Sequence, residues 1–113
     1  MITRIRIVGI TPGTLDQYRE VSRDWRDLLH KYGGRVLGFY ADAAETMVTG
    51  IAEYESRERL YEIQRQCEAD EAFPHIMRRA EALMTSFDEK ILDKTSRETR
   101  GRRWRSSSAG CRA

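Results

Sequence analysis

The stretch RVLGFYADAAETMVTGIAEY, residues 35–54, decides the fold. Two runs rich in β-branched and aromatic residues, 35–42 and 46–54, flank Ala43, Ala44 and Glu45, which is the spacing of an antiparallel hairpin. This hairpin stands between two helical stretches. Upstream, Leu15, Tyr18, Trp25, Leu28, Leu29 and Tyr32 recur with a period of 3.6, Ser22 fills one step, and arginine and aspartate cover the other face. Thr14 is placed to cap that helix, and Gly33-Gly34 to close it. Downstream, Ser56 caps a second helix with Leu60, Ile63 and Cys67 on one stripe. Asp70-Glu71-Ala72-Phe73-Pro74 interrupts it, because proline clashes inside a helix but is tolerated in a first turn. A further helix over 74–84 carries Ile76, Met77, Ala80, Leu83 and Met84 near one face.

Two flanking strands complete the pattern. Residues 2–10 (ITRIRIVGI) alternate strictly at Arg4, Ile5, Arg6 and Ile7 and stop at Thr11-Pro12-Gly13, while residues 85–93 (TSFDEKILD) form a weaker closing strand. The order β-α-β-β-α-β, with the second helix broken in two, is the split βαβ of a ferredoxin-like α+β sandwich. Its antiparallel sheet packs helices on one face, so the other is solvated, binds something or packs on a second sheet.

Strand parity sorts the side chains. The larger apolar pairs place Ile5, Ile7, Leu37, Phe39, Met47 and Ile51 on the helix-facing core. The free face then carries Arg4, Arg6, Tyr40 and Tyr54 among Val8, Ile10, Val36 and Val48, a patch too apolar to stand bare. Two copies packed sheet to sheet would hide it and enclose a cavity where Gly38, Gly50 and Ala52 leave room. The candidate ligand site is therefore Arg4, Arg6, Tyr40, Gly50 and Tyr54. Guanidinium offers bidentate geometry to a carboxylate or phosphate, with cross-strand pairing to Asp42 or Asp88 as the structural alternative. Tyr40 and Tyr54 suit interface packing better than proton donation, because an unperturbed pKa of about 10 makes unassisted acid catalysis slow. Trp25 reads as core rather than as a ligand platform, and His30, near the end of its helix, as a partner of the helix dipole.

Lys and Arg number 20 against 18 Asp and Glu, a net charge of +2 in 113 residues. The charge is uneven. Residues 1–93 hold 13 basic against 17 acidic side chains, and residues 94–113 hold 7 against 1. Residues 1–94 are thus expected to form the domain, and 95–113 a basic, disordered tail with Arg97, Arg100, Arg102, Arg103, Arg105 and Arg112 around Trp104. Arginines with an embedded tryptophan could contact nucleic acid or an acidic partner, but without a nucleic-acid-binding module a solvated extension is the better reading. No run of eighteen apolar residues occurs and the N-terminus lacks a signal-peptide core, so a soluble, cytoplasmic chain without membrane contact is expected. Cys67 and Cys111 read as free thiols. His30 and His75 lack partners at metal-ligand spacing, so no metal or cofactor is expected.

The chain resembles the NIPSNAP-like proteins of the dimeric α/β barrel superfamily. The resemblance spans about residues 1–93 and rests on Arg6 in a short opening strand, the Thr11-Pro12-Gly13 turn and the long helix. It continues in Gly33-Gly34-Arg35, Gly38-Phe39-Tyr40, Glu53-Tyr54-Glu55-Ser56 with Arg57 and Arg59, and Phe73 after Asp70, with Glu71 in place of the family's proline. It implies a ferredoxin-like protomer that dimerises through its sheets, with a pocket between sheet and helices or within the barrel. Gly50 and Ala52 stand where many family members carry histidine and tryptophan, which enlarges the expected pocket. The superfamily includes cofactor-free monooxygenases, isomerases and haem-handling proteins. This chain shows no nucleophile–base pair, so its residues point to a homodimer that binds a small anionic or carbonyl-bearing molecule and leave a reaction open.

Overall fold

The computed structural model describes residues 1–93. Seven elements follow in the order β1 (Ile2–Ile10), α1 (Leu15–Lys31), β2 (Arg35–Ala41), β3 (Met47–Tyr54), α2 (Arg57–Ala69), α3 (Phe73–Leu83) and β4 (Met84–Asp93). All pairings are antiparallel and the sheet order is β2-β3-β1-β4, which is the ferredoxin-like α+β arrangement. The expected strand and helix bounds agree with these to within one residue. The tail at 95–113, with Cys111, lies outside the described residues.

Local chemistry explains the boundaries. Gly33, at φ +103°, and the bonds Gly34 N–H to Leu29 O (2.9 Å) and Gly33 N–H to His30 O (3.2 Å) make a Schellman closure of α1. At the other end of α1 the expected cap is absent. Thr14 Oγ1 donates back to Thr11 O at 2.6 Å instead of accepting from the helix. Ser56 does cap α2, accepting from Arg59 N–H at 3.0 Å. His30 is not turned to the helix dipole as expected. Its Nε2 accepts the Val36 amide at 3.1 Å and ties the end of α1 to β2.

The corner between α2 and α3 is held by Asp70. Its Oδ2 accepts from Lys31 Nζ (2.7 Å) and Tyr32 Oη (2.6 Å), and its Oδ1 from the Ala72 amide (2.9 Å). These bonds hold its carboxyl well below the usual carboxylate range. A carboxyl depressed in the folded state stabilises it above the unfolded value of about 3.9, and that contribution fades as pH falls through and below it. Asp70→Asn is therefore expected to lower Tm at pH 7, with the gap to the parent narrowing between pH 5 and pH 3. An equal gap at pH 3 and pH 7 in thermal melts would refute this.

Strand parity is as expected but the faces are exchanged. The helix-facing side of β1 carries Ile2, Arg4, Arg6, Val8 and Ile10, and that of β3 carries Val48, Gly50, Ala52 and Tyr54. Ile5, Ile7, Thr49 and Ile51 alternate onto the outer face, which no helix covers. In β2 a bulge between Val36 and Gly38 breaks the period of two. Val36 and Phe39 therefore both face the helices, Leu37 is exposed, and Gly38 and Tyr40 share the outer face. The exchange has a simple cause. Both faces of β1 and β3 carry aliphatic residues, and the convention that charge lies outward fails because the helices roof a cavity that holds the arginines. The main core lies where Val21, Leu28 and Leu29 of α1 meet Leu60, Ile63 and Cys67 of α2 and Ile76 and Ala80 of α3, over Ile2, Ala52 and Tyr54. Cys67 is a free thiol there, its pKa pushed up by burial.

Candidate functional site

A cavity of about 650 Å³ opens between the inner face of the sheet and helices α1 and α3. Its walls are mostly apolar. Val8, Val36, Phe39 and Val48 rise from the sheet, while Tyr18, Ser22 and Trp25 come from one stripe of α1 and Met77 and Ala80 from α3. The cavity exists because two positions are small. A Cβ at Gly50 would meet nothing within 4 Å, and Ser22 occupies the middle of the α1 stripe between larger rings.

Arg6 reaches into this space. It lies across from Gly50 in β3 and from Glu89 in β4. Its Nε donates to Glu89 Oε2 at 2.9 Å, and its guanidinium carbon stands 4.9 Å from the Trp25 ring centroid and 6.0 Å from that of Phe87. Neither terminal amino group of Arg6 has a hydrogen-bond partner among the described residues. Arg4 is more deeply set, 3% exposed. Its Nη1 donates to Gln64 Oε1 at 3.2 Å, its Nη2 to the Tyr54 hydroxyl, and its Nε lies 3.7 Å from Glu89 Oε2. Burial pushes the Arg4 guanidinium pKa down from its ordinary value, and the charge of Arg6 pushes the same way. An arginine nevertheless stays charged in a protein.

Of the five expected site residues, Arg4, Arg6 and Gly50 line the cavity. Tyr54 stands behind Arg4 and is engaged by it, and burial pushes its pKa up against the opposing charge of Arg4. It accepts from Arg4 within the core and is buried in the protomer, away from the outer face of the sheet. Tyr40 is on the outer face, 58% exposed, and is separated from the others by the sheet. The expected pairing of the arginines with Asp42 or Asp88 is replaced by Glu89. Asp42 instead accepts the Thr46 and Met47 amides in the hairpin loop, which lowers its pKa.

Three residues of the site lay outside the sequence-based set. Trp25, expected to be core, packs on the core and also forms the platform under Arg6. Tyr18 lines the cavity, stacks on Phe39 with centroids 6.4 Å apart, and has its pKa pushed up by burial while Arg6 opposes. The spacing of Tyr18, Ser22 and Trp25 was a usable signal, because a small residue between two rings on one stripe marks a gap. Glu89 had no such signal, since only the β1–β4 register brings it beside Arg6. The site's free polar equipment is thus cationic, in apolar walls, with a tyrosine hydroxyl nearby. It can hold or stabilise an anion. Among the described residues no group of His, Cys, Asp and Glu is clustered to hold a metal, and no helix is long and apolar enough to cross a membrane.

Fold and cavity together define an α+β sandwich with a ligand-sized space under its helices. The sequence matches no protein-family model and no curated protein. Its fold is that of NIPSNAP-type proteins. An uncharacterised NIPSNAP domain protein from Burkholderia xenovorans superposes with a TM-score of 0.74 at 16% identity, over 85% of this chain and 96% of that one. A NIPSNAP family protein from Agrobacterium tumefaciens gives 0.74 at 20% identity, over 84% and 93%. SnoaB, a cofactor-independent oxygenase from Streptomyces nogalater, gives 0.67 at 11% identity, over 84% and 93%. At such identities the likeness is one of fold.

Proposed function

We propose that the protein is a homodimeric small-molecule-binding protein whose cavity takes an organic anion with a substantial apolar body. The observation that carries this reading is Arg6: a guanidinium whose terminal amino groups have no partner among the described residues, fixed on an aromatic platform and lining a largely apolar cavity. Arg6 and Arg4 share the one carboxylate of Glu89, so the pair keeps a positive charge that an anion would match. The apolar walls supply affinity for the body of the ligand, and the guanidinium orients its head. The same arrangement suits a carbonyl compound that gains negative charge on oxygen during reaction. Turnover of such a compound is a second reading, favoured by the fold shared with a cofactor-independent oxygenase.

Arg6→Gln removes the charge and keeps much of the side chain's volume. It is expected to weaken binding of 2-naphthalenesulfonate, measured by calorimetry, by about 10- to 100-fold, the worth of one or two charge-assisted bonds. Unchanged affinity would remove Arg6 from the site.

The assembly is read from the outer face of the sheet. Ile5, Ile7 and Ile51 lie there with the exposed Tyr40, Met47 and Leu92, flanked by Lys90 and Asp88 of β4, and a second copy packed sheet to sheet would cover the apolar part of this face. This is the dimer expected from the sequence, formed by the opposite set of side chains. Light scattering is expected to return about twice the chain mass of 13.2 kDa, and Ile51→Lys to return a single chain. A monomer in the parent protein would overturn the proposed assembly.

A further inference from the structure

We propose that Glu89 sets the head of the cavity to a single net positive charge, making it a site for organic monoanions rather than dianions; this rests on the anion-binding reading above. Arg4, Arg6 and Glu89 converge on one carboxylate oxygen, Glu89 Oε2, which is 2.9 Å from Arg6 Nε and 3.7 Å from Arg4 Nε. The remaining donors of Arg4 are directed to Gln64 and Tyr54. Glu89 therefore cancels one of the two guanidinium charges; the residual unit is shared by the adjacent pair, and Arg6 is the member that presents donors to an anion, since its terminal amino groups have no protein partner among the described residues. A monoanion docked on that fork leaves the cluster neutral. A dianion leaves an excess negative charge beside Glu89 at the partly exposed head of the cavity, where Arg6 and Glu89 are 27% and 30% exposed and like-charge repulsion is stronger than in bulk water.

The other charges near the cavity do not alter this sum. Arg19 and Arg26 stand at the mouth, each beside an aspartate, Asp16 and Asp27, and are about half exposed. Arg23 and Glu81, both exposed and of opposite sign, line the same mouth from facing helices. Water and salt screen these groups over about 8–10 Å. Glu89 also positions Arg6, since its bond to Nε leaves the Nη1/Nη2 edge as the free one.

The test compares two probes with one ring system, 2-naphthalenesulfonate and 2-naphthyl phosphate, by calorimetry at pH 8, where a phosphate monoester is a dianion. The parent protein is expected to bind the sulfonate more tightly. Glu89→Gln keeps an acceptor for Arg6 Nε and removes the charge, and is expected to raise the phosphate-to-sulfonate affinity ratio about tenfold. Loss of structure or of Arg6 positioning alone would weaken both probes together, so an unchanged ratio in Glu89→Gln overturns the proposal, as does a parent protein that prefers the phosphate. If the parent protein binds neither probe, the anion-binding reading falls and takes this proposal with it.

Discussion

Gly50→Trp is expected to abolish ligand binding while leaving the fold intact. Gly50 sits mid-strand on the inner face, across from Arg6, and a Cβ built there meets no atom within 4 Å. An indole at this position projects into the cavity, takes the volume a ligand body would occupy, and competes with Trp25 for the face of Arg6. The expected loss of affinity for 2-naphthalenesulfonate is more than about 100-fold, since the displaced apolar contacts and the head-group bonds are lost together. Stability should be equal or higher, because glycine inside a strand costs roughly 0.5–1 kcal/mol relative to alanine. Gly50→Ala is the control: it gains that stability and keeps binding. Calorimetry and thermal melts on the two variants decide it, and a Gly50→Trp protein that binds like the parent would place the ligand elsewhere.

Leu60→Ala should be the most damaging single truncation in the domain. Leu60 is 0% exposed and lies in the main core with Ile63 and Cys67, which are also 0% exposed, on the α2 stripe. Removing Cγ and its two methyl groups from the main core costs about 2–5 kcal/mol, part transfer and part residual cavity. The total stability of a domain of this size is only about 5–14 kcal/mol. At roughly 4–8 °C per kcal/mol, a loss near the middle of the range lowers Tm by about 12–24 °C. Tyr61→Ala, one residue along and half exposed, should move Tm by no more than about 4 °C. Melts at one fixed protein concentration separate the two, and a Leu60→Ala shift under 5 °C would mean the core is not closed around α2.

The helices were legible because each carries its own punctuation. Gly33 and Gly34 close α1, Ser56 caps α2, and Pro74 can start a helix but not continue one. The hairpin of β2 and β3 was legible from spacing alone. The site was legible in part. Arg4 and Arg6 stood out as charges alternating with isoleucine, and Gly50 as a gap in a strand. Their surroundings were not, because Glu89 is 83 residues from Arg6 along the chain and only strand register joins them. Tyr40 was misplaced by a bulge beside Gly38; a glycine within a strand is a signal of a bulge, but it equally marks open space, which is how it reads in the sequence.

The amino-acid sequence by itself determined the order of elements, their ends and the split βαβ class, because periodicity and capping act within a few residues. It also determined which side chains share a face in β1 and β3, though not in β2, where the bulge breaks the period of two. Which face turns toward the helices was decided only by tertiary packing. Ile5 and Ile7 are as apolar as Val8 and Ile10, so local preference leaves the two orientations nearly equal. The choice follows from the helices, whose Tyr18–Ser22–Trp25 stripe leaves a space over Gly50 that Arg6 can enter and Glu89 can neutralise in part.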